Sequence, residues 1–272
     1  MKRAKKVTIF IDTEGYWEGP YRRYFDNEKV LLSIKKVLDK YEAKAVFNVL
    51  GKVAEKHPKV ISKLHSNGHE IASHGYSHEN FVQLNNEKLN AVLEKTDKII
   101  YDVTGKKPSG IRAPWLLANR DSYEIFRKRG YLWSSNKRRL HVEQIYNPTS
   151  SYKGFFERFA AKTFIRVKSW SYSNRPFKIQ GVTEIPLYSS MDGELLGLID
   201  PEQESPKLWM DYTYKSWVSQ FNKSGDYFNL NLHDWLIGTS NRIKLLDSIL
   251  NNISKKKNIK FVLARDLVGG KK

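Results

Sequence analysis

Asp12 and Glu14 stand two residues apart, directly after the apolar run 7–11. If that run is a strand, alternation points both carboxylates to one side at its C-terminal end. That end is where α/β sheets and barrels place their sites, although a plain acidic turn carries the same letters. His74 and His78, four apart in Ser73-His74-Gly75-Tyr76-Ser77-His78, follow a second short strand-like run. A turn or short helix brings such imidazoles onto one face. Two neutral imidazoles and a carboxylate make a common site for zinc or another divalent ion, with positions left for water and substrate. Ordinary surface or cap histidines show the same spacing. Arg112, before Ala113-Pro114-Trp115, and His233, in Asn229-Leu230-Asn231-Leu232-His233-Asp234-Trp235, head two further clusters. Alone, Arg112 reads as a salt-bridged turn and His233 as a satisfied histidine at a sheet edge. His57, His65, His69 and His141 lack such context and read as structural or solvated.

Bringing the four clusters together requires strands that end at them. The run 7–11 reads as a buried strand, and Val30, Ile34, Val37, Leu38 and Tyr41 then recur at helical spacing. Strands follow at 45–50 and 70–73, with a helix at 59–66 between them. Leu89, Val92, Thr96, Ile99 and Val103 mark a long amphipathic helix closed by Gly105. Strands at 109–112 and 131–134 flank a helix at 121–129. After a break come a strand at 182–188, a helix at 214–221, a strand at 227–232, a helix carrying Ile243, Leu246, Leu250 and Ile253, and a last strand at 259–263. Such alternation implies a mostly parallel sheet covered by helices, with the four clusters converging at one mouth of a barrel. No repeat or linker divides the chain, so one α/β domain over 1–272 is expected. The break at about 137–178 reads as an insertion with ten basic, two acidic and nine aromatic residues.

The 272 residues include 47 Lys plus Arg against 29 Asp plus Glu, a net charge of +18. A hydrophobic fraction of 40% supports a substantial core and argues against a disordered chain. With no cysteine, a disulfide scaffold, a thiolate metal site and a cysteine nucleophile are excluded, and any metal must be held by His, Asp or Glu. No window approaches the roughly 18 apolar residues of a membrane span, and the apolar stretch near the start is too short for a secretory signal. A cytoplasmic protein is therefore expected. The charge favours anionic partners: nucleic acid, a negatively charged leaflet or an acidic glycan.

Taken in order, Phe10-Ile11-Asp12-Thr13-Glu14, the run from His74 to His78, Arg112-Ala113-Pro114 and Leu230-Asn231-Leu232-His233 resemble the motif series of a known family. It is that of the polysaccharide deacetylases with the NodB-homology domain, carbohydrate esterase family 4, and the likeness spans roughly residues 6–265. The resemblance implies a single, distorted, incomplete (β/α)7-type barrel with the basic aromatic insertion. It also implies a metal-dependent hydrolase removing N-acyl or O-acyl groups from sugars. By that resemblance Glu14, His74 and His78 bind a divalent ion, zinc first, Asp12 is the catalytic base, Arg112 orients Asp12 and His233 is the general acid. Amide hydrolysis needs such parts: a polarised carbonyl, an activated water and a proton for the departing amine. Trp115, Trp133, Leu232 and Trp235 are the candidate substrate-binding residues, the indoles as platforms for sugar rings.

Three features depart from the family pattern. Thr13 separates the two carboxylates and the ligand is Glu14, which resembles the Asp-x-Asp or Asp-x-Glu branches acting on lipid-linked or cell-surface sugars. Leu132-Trp133-Ser134-Ser135 lacks the aspartate that the fourth motif places near the arginine, and the third motif ends in Trp115-Leu116. The expected substrate is an N-acylated sugar of a polysaccharide or of a lipid-linked surface-glycan precursor. Residues 153–164, with Phe155, Phe156 and Phe159 near one face of a short helix, suit peripheral contact with an anionic membrane at its inner face. Packing of those rings on the barrel is the alternative. A catalytically weak or inactive glycan-binding member and a basic nucleic-acid-binding protein are the competing readings, and no nucleic-acid motif supports the second.

Overall fold

Along β1 (Lys5–Thr13) the side chains divide by parity. Val7, Ile9 and Ile11 join the large apolar layer beneath the helices, whereas Phe10 meets Val46, Ala72, Trp133, Ile185 and Tyr227 in a smaller interior cluster. A strand apolar on both faces belongs at the centre of a parallel sheet, and β1 lies there. The structure is a computed structural model and describes residues 3–15, 27–138, 175–197 and 203–269.

On one side of β1 follow β2 (Val46–Val49), β3 (Glu70–Ser73), β4 (Gly110–Ile111), β5 (Trp133–Ser134) and β7 (Val182–Glu184), all parallel. β6 (Phe177–Ile179) is antiparallel to β7 at the edge. β8 (Tyr227–His233) runs parallel on the other side of β1, and β9 (Ile259–Phe261) pairs with the first residues of β1. The helices are α1 (Asn27–Lys40), α2 (Gly51–Lys56), α3 (Pro58–Ser66), α4 (Asn86–Thr104), α5 (Arg120–Lys128), α6 (Asp192–Leu196), α7 (Lys207–Lys223), α8 (Asp234–Ile237) and α9 (Ile243–Ser254). Their apolar faces cover the outside of a curled, barrel-like sheet, as expected of a distorted (β/α) barrel.

Local chemistry sets the element ends. Asn85 caps α4 by accepting the Lys88 N–H at 2.9 Å, and Gly105, at φ +74°, closes it with its N–H on the Tyr101 carbonyl. The strand expected at 182–188 stops at Glu184 because Pro186 has no N–H to continue a ladder. The helix expected at 214–221 starts earlier, at Lys207, where Trp209, Met210 and Tyr212 pack against the core without a clean apolar stripe. Gly110 faces the Trp133 indole so closely that an added Cβ would lie 1.8 Å from it.

The ring is finished without a ladder. Beyond β7 the Ser189 N–H donates to the Asn229 carbonyl of β8 at 3.3 Å. Side chains supply the rest. Asn229 Oδ1 accepts the Tyr188 N–H and Asn229 Nδ2 donates to the Pro186 carbonyl, both at 2.7 Å, while Ser189 Oγ accepts the Asn231 N–H at 3.1 Å. Residues 139–174, which include His141 and the helix expected at 153–164, lie outside the described residues. Among the described residues no helix is long and apolar enough to cross a membrane.

Candidate active site

Parallel register does the first part of the assembly. Asp12 of β1 is level with Asn48 of β2 on one side and His233 of β8 on the other. Asn48 Nδ2 donates to Asp12 Oδ1 at 2.7 Å, and Arg112 Nη1 donates to the same oxygen at 2.9 Å. Among the described residues Asp12 Oδ2 takes no hydrogen bond. Arg112 is fully buried. Its Nη2 donates to Ser135 Oγ and Asn231 Oδ1, both at 2.9 Å, its Nε to the Ser135 carbonyl at 3.1 Å, and its guanidinium covers the Phe10 ring at 4.6 Å. Ser135 and Asn231 thus stand where the fourth-motif aspartate was missed, and the buried charge has the satisfied surroundings it needs.

Glu14 follows β1 and is buried. Its Oε1 lies 3.4 Å from His74 Nε2, 3.1 Å from His78 Nε2 and 4.0 Å from His233 Nε2. Burial works to raise the Glu14 carboxyl, but the hydrogen bonds of His74 and His78 outweigh it and hold the group well below the usual carboxylate range. His74, one residue past β3, is 2.7 Å through Nδ1 from the Arg112 carbonyl. That acceptor holds a proton on Nδ1 and orients the ring so that Nε2 faces Glu14. Burial disfavours charge on His74, yet the Glu14 bond and the Asp12 charge raise it above an ordinary histidine. His78 is delivered by a turn in which Glu79 accepts the N–H groups of Tyr76 and Ser77. His78 itself sits at φ +70°, a strained conformation for a non-glycine residue.

His233 has a carboxylate of its own. Asp192, fully buried at the start of α6, is 2.6 Å through Oδ1 from His233 Nδ1 and accepts the His233 backbone N–H through Oδ2 at 2.8 Å. Burial opposes charge on this imidazole, and Asp192 overcomes it, raising the group to about 10. The next residue, Asp234, accepts N–H bonds from Glu14, Gly15 and Trp235 at 3.1, 3.3 and 2.8 Å. Burial and then the Glu14 charge push its carboxyl up to about 7.

Donor chemistry and spacing fit a divalent ion at Glu14, His74 and His78. Donors about 2.1 Å from a tetrahedral ion lie roughly 3.4 Å apart, and the contacts of Oε1 with the two Nε2 atoms are 3.4 and 3.1 Å. His233 Nε2, at 4.0 Å, stands outside that set. Asp12, Glu14 and His233 form a second close group that shares Glu14.

The four expected wall residues separate. Trp115 is 56% exposed beside the cluster, its ring edge-on to His78 with centroids 4.7 Å apart, on a loop where Trp115 and Leu116 both have positive φ. Trp133 is instead fully buried inside the barrel, with Nε1 on Glu70 Oε1 at 2.8 Å. Glu70 opens β3, so that indole points away from the mouth. Leu232 is also fully buried, facing the helices because its neighbours Asn231 and His233 take the inward positions. Trp235 is buried and donates Nε1–H to Glu14 Oε2 at 2.9 Å, which makes it a partner of Glu14 and not an open platform. Sequence reasoning missed Asn48, Ser135, Asp192 and Asn231. For Asn48 and Asn231 their places beside Asp12 and His233 on neighbouring strands were the available signal; for Asp192 there was none.

The parallel barrel thus carries an Asp, a Glu–His–His group and a third histidine at one mouth. Residues 7–133 match the polysaccharide deacetylase family. The chain is 34% identical over 119 residues to a peptidoglycan-N-acetylglucosamine deacetylase of Bacillus cereus, covering 40% of this chain and 43% of that protein. It is 30% identical over 142 residues to a peptidoglycan deacetylase of Helicobacter pylori, covering 47% and 48%. The chain thus spans under half the length of these curated relatives. A Mycobacterium smegmatis structure assigned to the polysaccharide deacetylases superposes with a TM-score of 0.73 at 18% identity, covering 97% of this chain and 88% of that one. At that identity the likeness concerns the fold.

Proposed function

We propose that the chain is a metal-dependent carbohydrate de-N-acylase, hydrolysing an N-acyl group from a sugar of a polysaccharide or a lipid-linked surface-glycan precursor. The observation that carries the reading is the convergence of Glu14 Oε1 with His74 and His78 Nε2, flanked by Asp12 and by the His233–Asp192 pair. When held by Glu14, His74 and His78, a divalent ion, zinc first, supplies Lewis acidity toward the acyl carbonyl and acidifies water. Asp12 Oδ2, left open by the two bonds to Oδ1, takes the proton of the attacking water. Arg112 and Asn48 hold Asp12 in orientation through Oδ1. His233 holds Nδ1–H on Asp192 and turns Nε2 toward the cluster. From Nε2 it delivers a proton to the sugar nitrogen as the C–N bond breaks, so the amine need not leave as a strongly basic anion. The exposed Trp115 ring offers an apolar face to a sugar beside His78.

The names of the curated relatives support a peptidoglycan-like glycan as substrate. The basic aromatic composition of 137–178 supports peripheral contact with the cytoplasmic face of an anionic membrane, read out as salt-sensitive sedimentation with anionic vesicles. The central test compares the wild type with a His74→Ala, His78→Ala double variant after zinc loading and desalting. Acetate release from N-acetylglucosamine oligomers and from peptidoglycan is measured alongside. About one zinc per chain with acetate release is expected of the wild type, and neither of the folded variant. Two equally metal-free, inactive proteins would refute the reading.

A further inference from the structure

A glutamate ligand has one more rotatable bond than an aspartate, and either or both of its oxygens can swing onto an ion. In this chain that freedom is removed from both ends of the side chain. At the tip, Trp235 donates its indole N–H to Glu14 Oε2 at 2.9 Å. At the backbone, Asp234 accepts the N–H groups of Glu14 and Gly15 at 3.1 and 3.3 Å. Gly15 has φ +64°, and a Cβ there would fall 2.4 Å from Asn27 Nδ2, so the turn favours glycine. The bracket is rigid in its own right: Asp234 is fully buried, and Trp235, 3% exposed, is packed into the large apolar layer. All three imidazole Nε2 atoms meanwhile face the other oxygen, Oε1.

We infer that Asp234 and Trp235 are positioning residues that fix Glu14 as a one-oxygen ligand, with Oε1 given to the metal and Oε2 held by the Trp235 indole. The inference rests on the metal-centre reading and deepens it. Because α8 begins immediately after His233, one short segment both ends in the proton donor and sets the metal ligand, tying their relative placement to a single turn of chain.

The test uses Trp235→Phe, which keeps the aromatic bulk and removes only the N–H. Zinc affinity is measured by equilibrium dialysis and the visible spectrum of the cobalt-loaded protein is recorded. A folded variant is expected to bind zinc about 10–100-fold more weakly, as loss of an outer hydrogen bond to a ligand does. Its cobalt bands should weaken as the freed Oε2 joins the ion and raises the coordination number. In a Glu14→Asp background the shorter carboxylate does not reach the indole, so adding Trp235→Phe should change the affinity no further. Independently of any metal, the Trp235 indole N–H resonance, identified by its loss in Trp235→Phe, should move in Glu14→Gln. Unchanged zinc affinity and cobalt spectrum in folded Trp235→Phe overturn the inference, as does an indole resonance indifferent to Glu14→Gln. A wild type that binds neither ion overturns the ligand claim together with the metal reading, and the indole resonance then reports separately whether Trp235 holds Glu14.

Discussion

His69, at the end of β3 opposite His74, should make the fold sensitive to mild acid. Its ring is 1% exposed, packs edge-on against Phe47 at 5.3 Å, and accepts the Ala45 N–H on Nδ1 at 3.2 Å. The proton therefore sits on Nε2, which has no hydrogen-bond partner among the described residues. Protonating Nδ1 would oppose two N–H groups and bury a charge. Burial first, and then Lys44, lower the imidazole from 6.5 to about 4. Between those values the unfolded chain binds the proton and the folded chain does not, so stability is intact above pH 6.5 and falls as the pH drops toward 4. At about 1.4 kcal/mol per pH unit the full loss is about 3 kcal/mol, a large share of the ~5–15 kcal/mol that holds a typical protein folded. His69→Asn keeps an acceptor for the Ala45 N–H and cannot titrate. Urea unfolding followed by tryptophan fluorescence should find it about 1–2 kcal/mol weaker at pH 7, from the lost ring contacts. At pH 4.5, where the wild type has lost most of that stability, the variant should be the more stable. Parallel stability curves for the two proteins, or an NMR titration of His69 near pH 6.5, would refute the reasoning.

Other substitutions test the site and the barrel. Asp192→Asn removes the charge that holds His233 and should lower kcat by about 10–100-fold with KM little changed, in line with one hydrogen bond to a charged group; steady-state kinetics on an N-acetylglucosamine oligomer measure it. His233→Ala should cost more, about 10²–10⁴-fold in kcat, as removal of a general acid does. Arg112→Ala leaves Asp12 buried without its cation and should destabilise the fold by about 3–5 kcal/mol in denaturant titration. Gly110→Ala drives a methyl group into the Trp133 ring and should cost at least about 1–3 kcal/mol, seen as a lowered Tm.

Much of this architecture could be read from the sequence because it follows from periodicity. The apolar runs ending at Asp12, His74, Arg112 and His233 became parallel strands or their immediate ends, and parallel strands present those ends at one mouth. Parity was legible too, and it corrects one expectation: if Asn231 and His233 face inward, Leu232 must face the helices. Trp133 misled for a different reason. It faces inward, but depth along the barrel depends on its register with Gly110, which no local pattern encodes. Asp192 was invisible because its role depends on where the chain beyond Glu184 meets β8, a contact made by side chains. Asn48 and Ser135 act through single hydrogen bonds that leave no periodic trace.

The way the barrel is completed between β7 and β8 has a mechanical consequence. A continuous ladder spreads any displacement over many equivalent bonds, whereas the seam here depends on the few side-chain bonds of Asn229, Ser189 and Asn231. The barrel is in effect a split ring, laddered around β1 and joined by side chains at the split. Asp192 stands on one lip and His233 on the other, so the pair that would prepare the proposed proton donor is also the clasp. Spreading the lips would draw Asp192 away from His233.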